Sequence, residues 1–382
     1  MGAIKRLAAS AAIFFAIAGV SFAEDYAAVQ GYVHSFNNGV SVYSGVFALN
    51  KDVSLDTTVS FKYAVDLINP DGEDDDDDEG GGVAVVSGAS SALSGGSDTR
   101  HAVTAGVAHN FSNIIGVEAY YDYSFEKDYS SSTPTLTLKK DLFDKNTTLT
   151  AGYSRNSDTI DGQFMTGEED RTTDNFFLGL TQVLSPVMVA QLGYSHSASS
   201  GYLSEGIRLV PLGAADPATC VAVSVDCALE AFPSERKRDA YLIGLSRYFT
   251  EGLGGLLDRS AVKLSFRYYD DSWDVSSWMG EAEFHKYLDE SLIMRLNYRY
   301  YTQSAAFFVK DTYAAPDVYK SSSPQIEEKD TNLVGIKFTY LLSQPAQAWK
   351  LSVNSLEAKY EYYTESIGVD AHILMGGLRM SF

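Results

Sequence analysis

Cysteine is nearly missing from this sequence: the 382 residues contain two, Cys220 and Cys227. Two thiols without a nearby His supply a metal site poorly, and no C-x-x-C-H motif is present for covalent haem attachment. Prolines number only 9, and 29 Lys and Arg stand against 50 Asp and Glu, for a formal charge of −21. A surplus of that sign argues against nucleic acid and anionic surfaces as partners. Long apolar runs are missing too. Beyond the N-terminus no stretch reaches about 18 consecutive apolar residues, which excludes a transmembrane helix.

What the chain has instead is tyrosine, phenylalanine and glycine, at 25, 20 and 31 residues. With few prolines and moderate hydropathy, this mixture fits a strand-rich exported protein. The N-terminus fits export as well. Lys5 and Arg6 precede an apolar core from Leu7 to Val20, and Ser21-Phe22-Ala23 offers the small residues that signal peptidase requires. The apolar core is too short to span about 30 Å as a helix. Residues 1–23 therefore read as a cleaved signal peptide, and losing Lys5 and Arg6 makes the mature chain more negative. At the other end, Phe382, Met380, Leu378, Gly376 and Leu374 alternate with Ser381 and Arg379. A terminal aromatic closing a period-two apolar strand resembles the insertion signal of bacterial outer-membrane barrels, read by the barrel-assembly machinery.

Period-two alternation recurs along the chain, as expected for strands with one face on lipid and the other on a polar lumen. In "SLIMRLNYRYYTQS" one face carries Leu292, Met294, Leu296, Tyr298 and Tyr300, and the other Ile293, Arg295, Asn297, Arg299 and Gln303. "VEAYYDYSFE" and "LEAKYEYY" behave alike, with Tyr gathered toward one end as in an interfacial girdle. Short links at Lys51-Asp52, Ser112-Asn113, Asp144-Lys145, Ser185-Pro186 and Asp289-Glu290 read as periplasmic, and Ser366-Ile367 as an outer turn. Long links at about 69–98, 159–173, 200–237 and 308–330 read as extracellular, while 250–259 is a longer periplasmic link with room for a short helix. The predicted fold is all-β: a transmembrane antiparallel up-and-down barrel of about sixteen strands over residues 24–382, in the outer membrane, with the bilayer and lipopolysaccharide as its surroundings.

Candidate chemistry is sparse. "DGEDDDDDEGGG" (71–82) lacks the ligand spacing of a calcium loop. It reads as a self-repelling loop tip, or as a weak divalent-cation surface at Asp74, Asp75, Asp76, Asp77 and Asp78. Cys220 and Cys227 bracket "VAVSVD" and are expected to form a loop disulfide in an oxidising compartment. The six His (34, 101, 109, 196, 285 and 372) form no ligand motif, and no G-x-S-x-G occurs, so neither an enzyme nor a cofactor is expected. Aligning the apolar faces of "SAVKLSFRYYDD", "SWMGEAEFHKYL" and "SLIMRLNYRYYTQ" predicts a luminal charge row. Arg267 is expected opposite Glu281, Glu281 opposite Arg299, Glu283 opposite Asn297 and His285 opposite Arg295. Such a row either stabilises the ladder and constricts the pore, or is ordinary luminal polarity.

Three segments also carry a resemblance: "PSERKRD" (233–239), "RYYDDSW" (267–273) and "YRYYTQSAAFF" (298–308). They resemble the signature blocks of an uncharacterised family of Gram-negative outer-membrane barrels, a domain of unknown function. The resemblance implies the location and the fold and brings no substrate or catalytic residue. It also implies an association with redox and flavin-related export genes. The expected function is a porin-like channel for small solutes or ions with a charged lumen. The alternative is a sheath or partner-binding barrel, accessory to extracellular electron transfer and holding a periplasmic or lipoprotein partner.

Overall fold

A computed structural model describes residues 25–69, 98–111, 115–348 and 351–382. The expected signal peptide, the acidic run with Asp74 to Asp78, and the Ser112-Asn113 link lie outside the described residues. The first half of the wall consists of β1 (Tyr26–Phe36), β2 (Ser41–Ser54), β3 (Thr57–Asn69), β4 (Asp98–Phe111) and β5 (Ile115–Glu126). It continues with β6 (Tyr129–Leu142), β7 (Thr147–Ile160), β8 (Glu169–Ser185) and β9 (Met188–Gly201). In the next link β10 (Leu209–Pro211) and β11 (Cys227–Leu229) pair as a separate ribbon. The wall then resumes with β12 (Glu235–Phe249), β13 (Ser260–Asp271), β14 (Ser276–Tyr287) and β15 (Leu292–Gln303). It ends with β16 (Lys329–Ala348), β17 (Leu351–Glu365) and β18 (Asp370–Ser381).

Sixteen of these strands form one closed antiparallel barrel, as the alternation predicts. Strand β18 pairs with β1 from Tyr26↔Ser381 to Phe36↔Ala371, which closes the seam and leaves the wall no free edge. Side chains partition by parity. On β5, Tyr121, Tyr123 and Phe125 are exposed on the outside, whereas Glu118 and Ser124 are buried inside. On β15 Leu296 and Tyr298 point out, while Asn297 and Gln303 are buried within. Apolar residues thus face outward and polar ones inward, the reverse of a water-soluble domain and the requirement of a lipid-embedded wall. Among the described residues no helix is long and apolar enough to cross a membrane.

The turns fall into two sets. One end carries short connections, among them Leu55-Asp56, residues 143–146, 186–187 and 288–291, and the longer link 250–259, which holds a 3-10 turn at Leu253–Gly255. The turn expected at Lys51-Asp52 lies further on. The ladder runs to Asp52↔Thr58 and Ser54↔Thr57, where Thr58 Oγ1 donates to Asp52 Oδ1 at 2.6 Å. The other end carries the long links 161–168, 202–234 and 304–328. The first is shorter than expected because β7 and β8 stay paired to Ile160↔Glu169, held by the buried Arg171–Asp158 ion pair at 2.8 Å. Across the seam, Asn37 Nδ2 donates to Gly368 O at 2.8 Å and ties two outer turns together. Just inside that end a buried apolar cluster of Phe36, Val42, Ile68, Leu333, Tyr363 and Ala371 lines the inner wall over β16 to β3.

Candidate functional site

The inward faces of β13 to β17 form a charged wall. Strands β14 and β15 pair as expected, with Glu281↔Arg299, Glu283↔Asn297 and His285↔Arg295. The β13–β14 register differs from expectation by two residues. Arg267 lies opposite Met279, and Glu281 opposite Ser265. The predicted Arg267–Glu281 pairing is therefore incorrect, and the Arg–Glu–Arg row is interrupted at β13. The cause is the turn at 272–275. Asp271 Oδ1 accepts from the Trp273 amide at 2.8 Å and the Val275 amide at 3.1 Å, and Asp274 takes φ 63°, so the hairpin closes tighter. A two-residue slip keeps every side chain on its own face.

Below this turn Glu283 gathers three bases: His285 Nε2 at 2.7 Å, Lys263 Nζ at 3.8 Å and Arg295 Nη1 at 3.9 Å. Arg295 also reaches Glu361 at 4.0 Å, and Lys359 Nζ meets Glu361 at 2.8 Å. Lys337 pairs with Glu357 at 2.8 Å. Gly335 makes the approach possible, since a Cβ there would stand 2.6 Å from Glu361 Cγ and 2.7 Å from Asn297 Oδ1. Of these, Lys337 and the β17 charges lie outside the three aligned strands, although the alternation in "LEAKYEYY" marks Glu357, Lys359 and Glu361 as inward-facing.

The three segments behind the family resemblance meet at one place. Asp271, whose side chain is fully buried, accepts from Arg236 Nε at 2.7 Å and from Tyr269 Oη at 2.5 Å. Asp270 falls on the outward face, so the adjacent aspartates are no carboxylate pair. The Arg236 guanidinium lies 4.1 Å from the Trp273 ring centroid, and Trp273 Nε1 donates to Glu235 O at 2.9 Å. Trp273 itself is buried among Leu203, Val275, Ala306, Phe308 and Ile326, with Phe232 packed alongside. Phe307 N donates to Trp273 O at 2.9 Å. Segment 233–239, the β13–β14 turn and the start of the 304–328 link thus form a single clasp.

From the clasp the 202–234 link bridges the mouth. Phe164 N donates to Gly206 O at 3.1 Å on one side, and Gly213 N to Tyr313 O at 2.7 Å on the other. A Cβ at position 162 would stand 2.5 Å from the Gly206 carbonyl, so only glycine lets these loops touch. Ala231 and Lys320 exchange both backbone hydrogen bonds, at 3.0 and 2.9 Å. Within the cap Glu230 is buried, accepting from Ser321 Oγ at 2.9 Å and Ser322 N at 3.2 Å. Burial pushes its carboxyl up to about 7, against the nearby Arg208, which favours the charged form. Cys220 and Cys227 are joined in a disulfide that closes the loop outside β11. Of the histidines, His101, His109, His196 and His372 lie on the outward face, each bonded to a Tyr, Thr or Asp partner. His34 is inward and buried, and His285 alone joins the charged wall. Among the described residues no three His, Cys, Asp or Glu are grouped so as to hold a metal. Leu378 and Met380 sit on the outward face of β18, and the Phe382 ring lies 5.0 Å from Lys51 Nζ.

A closed antiparallel wall of sixteen strands, apolar outside and charged within, is the fold of bacterial outer-membrane β-barrel proteins. The chain belongs to a family described as proteins of unknown function (DUF3570), whose profile matches residues 15–166 and 163–381. No curated protein matches the chain. Among solved structures it is similar to CdiB from Acinetobacter baumannii, at 7% identity and TM-score 0.55 over 94% of this chain and 60% of that one. It is also similar to a bacterial polysaccharide outer membrane secretin, at 9% identity and TM-score 0.50 over 94% and 98% of the two chains. The siderophore receptor PirA from Acinetobacter baumannii matches at 10% identity and TM-score 0.43 over 89% of this chain. The chain spans 53% of that receptor and 56% of its Pseudomonas aeruginosa counterpart. At these identities the likenesses show the fold alone.

Proposed function

We propose that this protein is a porin-like outer-membrane channel for small solutes or ions, with its long-loop end extracellular. The observation that carries the reading is the charged wall of β13 to β17 inside a sixteen-strand barrel. Barrels of this strand number enclose more space than side chains fill and leave an aqueous path, and ionised groups are retained where water keeps them solvated. On this reading the leader directs export and is cleaved after Ala23, and the alternating C-terminus ending in Phe382 directs insertion. Purified protein in a planar bilayer is expected to give stepwise conductance in potassium chloride. Silence from a barrel that retains heat-modifiable mobility would exclude the channel.

One observation favours the second reading, a sheath or partner-binding barrel. The apolar cluster around Val42 and Leu333 narrows one side of the lumen at the end where the loops also bridge the mouth. A sheath is expected to be electrically silent and to retain a periplasmic or lipoprotein partner, redox carriers included, when isolated gently.

A further inference from the structure

We propose that Arg267 and Arg299 form a luminal binding site for small oxyanions, the carboxylate or phosphate groups of a permeating solute. The inference rests on the channel reading and adds the sign and the place of its selectivity. Most luminal bases here are matched by a carboxylate. Lys263, His285 and Arg295 share Glu283, Lys359 holds Glu361, and Lys337 holds Glu357. Lys329 pairs with Glu365 at 3.3 Å, and Arg236 with Asp271.

Arg267 and Arg299 stand apart from this matching. Among the described residues neither makes an ion pair or a hydrogen bond. Both are half-buried rather than exposed, on the inward face directly beneath the clasp. Arg267 is flanked across the ladder by Leu242 and Met279, neither of which offers it an acceptor. Tyr269 and Tyr301 lie close enough to interact with it electrostatically, but their hydroxyls donate elsewhere, to Asp271 and Gln303. Arg299 has Leu333 on one side and Glu281 on the other, the latter outside ion-pair distance. The two arginines are two strands apart, about 10 Å of lateral spacing, and two residues, about 7 Å, apart along the strands. Two long side chains can close on one anion across that gap. Unused guanidinium forks in a partly desolvated wall suit a carboxylate or phosphate, which accepts two parallel N–H bonds. The chain is acidic overall, so this local surplus of positive charge does not follow from its composition.

The test uses the full-length barrel in a planar bilayer, with inorganic phosphate as the probe against a chloride current. In wild type, phosphate is expected to block the current saturably. In Arg267→Gln/Arg299→Gln the half-blocking concentration should rise at least about tenfold, since a lost charge-assisted bond of about 1.4 kcal/mol corresponds to that factor. Arg247→Gln, which changes an arginine on the outward face, serves as the control and should leave the block unchanged. A conducting wild type that phosphate does not block, or a block unmoved in the double variant, overturns the site and leaves the channel standing. A silent wild type overturns the channel reading instead. The site is then decided by whether phosphate raises the unfolding temperature of the detergent-solubilised barrel. A rise lost in the double variant supports it, and no rise overturns it.

Discussion

Glu230 illustrates what a single residue adds to the cap. It belongs to the 202–234 link, yet its carboxyl is seated on Ser321 and Ser322 of the 304–328 link. Arg208 favours ionisation, while Glu205 from the same link opposes it. Tyr202 of the same link also interacts with it electrostatically, and from the other link Ser321 and Ser322 meet it as neutral donors. The folded-state value of about 7 lies above the ordinary 4.5. The folded cap therefore binds more protons than the open one, and its stability falls as pH rises from about 4.5 to 7. Amide exchange at Ala231 and Lys320, corrected for intrinsic rates, should show more protection at pH 5.5 than at pH 8, and Glu230→Gln should flatten the difference. Equal protection of the wild type at both pH values would sink this role. Nothing in "CALEAF" announces it. A lone glutamate becomes a buried clasp only when two links, distant in sequence, close over it, whereas the conspicuous acids in the sequence are the run at 74–78.

At the scale of strands, alternation predicts which face each side chain takes but not which partner it meets. Strands β14 and β15 come out in the predicted register because the link 288–291 leaves little freedom. Strands β13 and β14 do not, because the hydrogen bonds of Asp271 tighten their turn, and a shift of two leaves the apolar pattern unchanged. Cysteine pairs separate the two registers. Ser265→Cys with Glu281→Cys should be joined by a short thiol crosslinker, while Arg267→Cys with Glu281→Cys should react poorly. The reverse preference would restore the pairing predicted from apolar faces. Luminal charge was legible on individual strands, since Arg295, Arg299, Glu281 and Glu283 all fall on the inward phase. The network reaching Glu361 was not, because it depends on Gly335 leaving room between neighbouring strands.

At the scale of the whole molecule, the wall and the cap separate in cause and in stability. Sixteen mutually paired strands close the wall, and their period-two pattern is written along the sequence. The cap depends on one buried point, where Asp271 holds Arg236 and orients the turn that carries Trp273. Its importance is absent from local pattern, because Arg236 and Asp271 meet only after the barrel has aligned β12 with β13. Removing one partner of a buried ion pair costs about 3 kcal/mol or more, since the other charge is left uncompensated. Asp271→Ala should concentrate that cost in the loops, because the ladder hydrogen bonds of β13 are made by its backbone and survive the change. The variant should therefore keep its heat-modifiable barrel while the 202–234 and 304–328 links become sensitive to protease. Because those links bridge the mouth, its single-channel conductance should also exceed that of the wild type. Trp273→Phe keeps an aromatic ring in the cluster but loses the bond to Glu235 O, and should fall between the two. A protease-resistant Asp271→Ala barrel with unchanged conductance would mean that the loops are held elsewhere and that the mouth is not restricted by them.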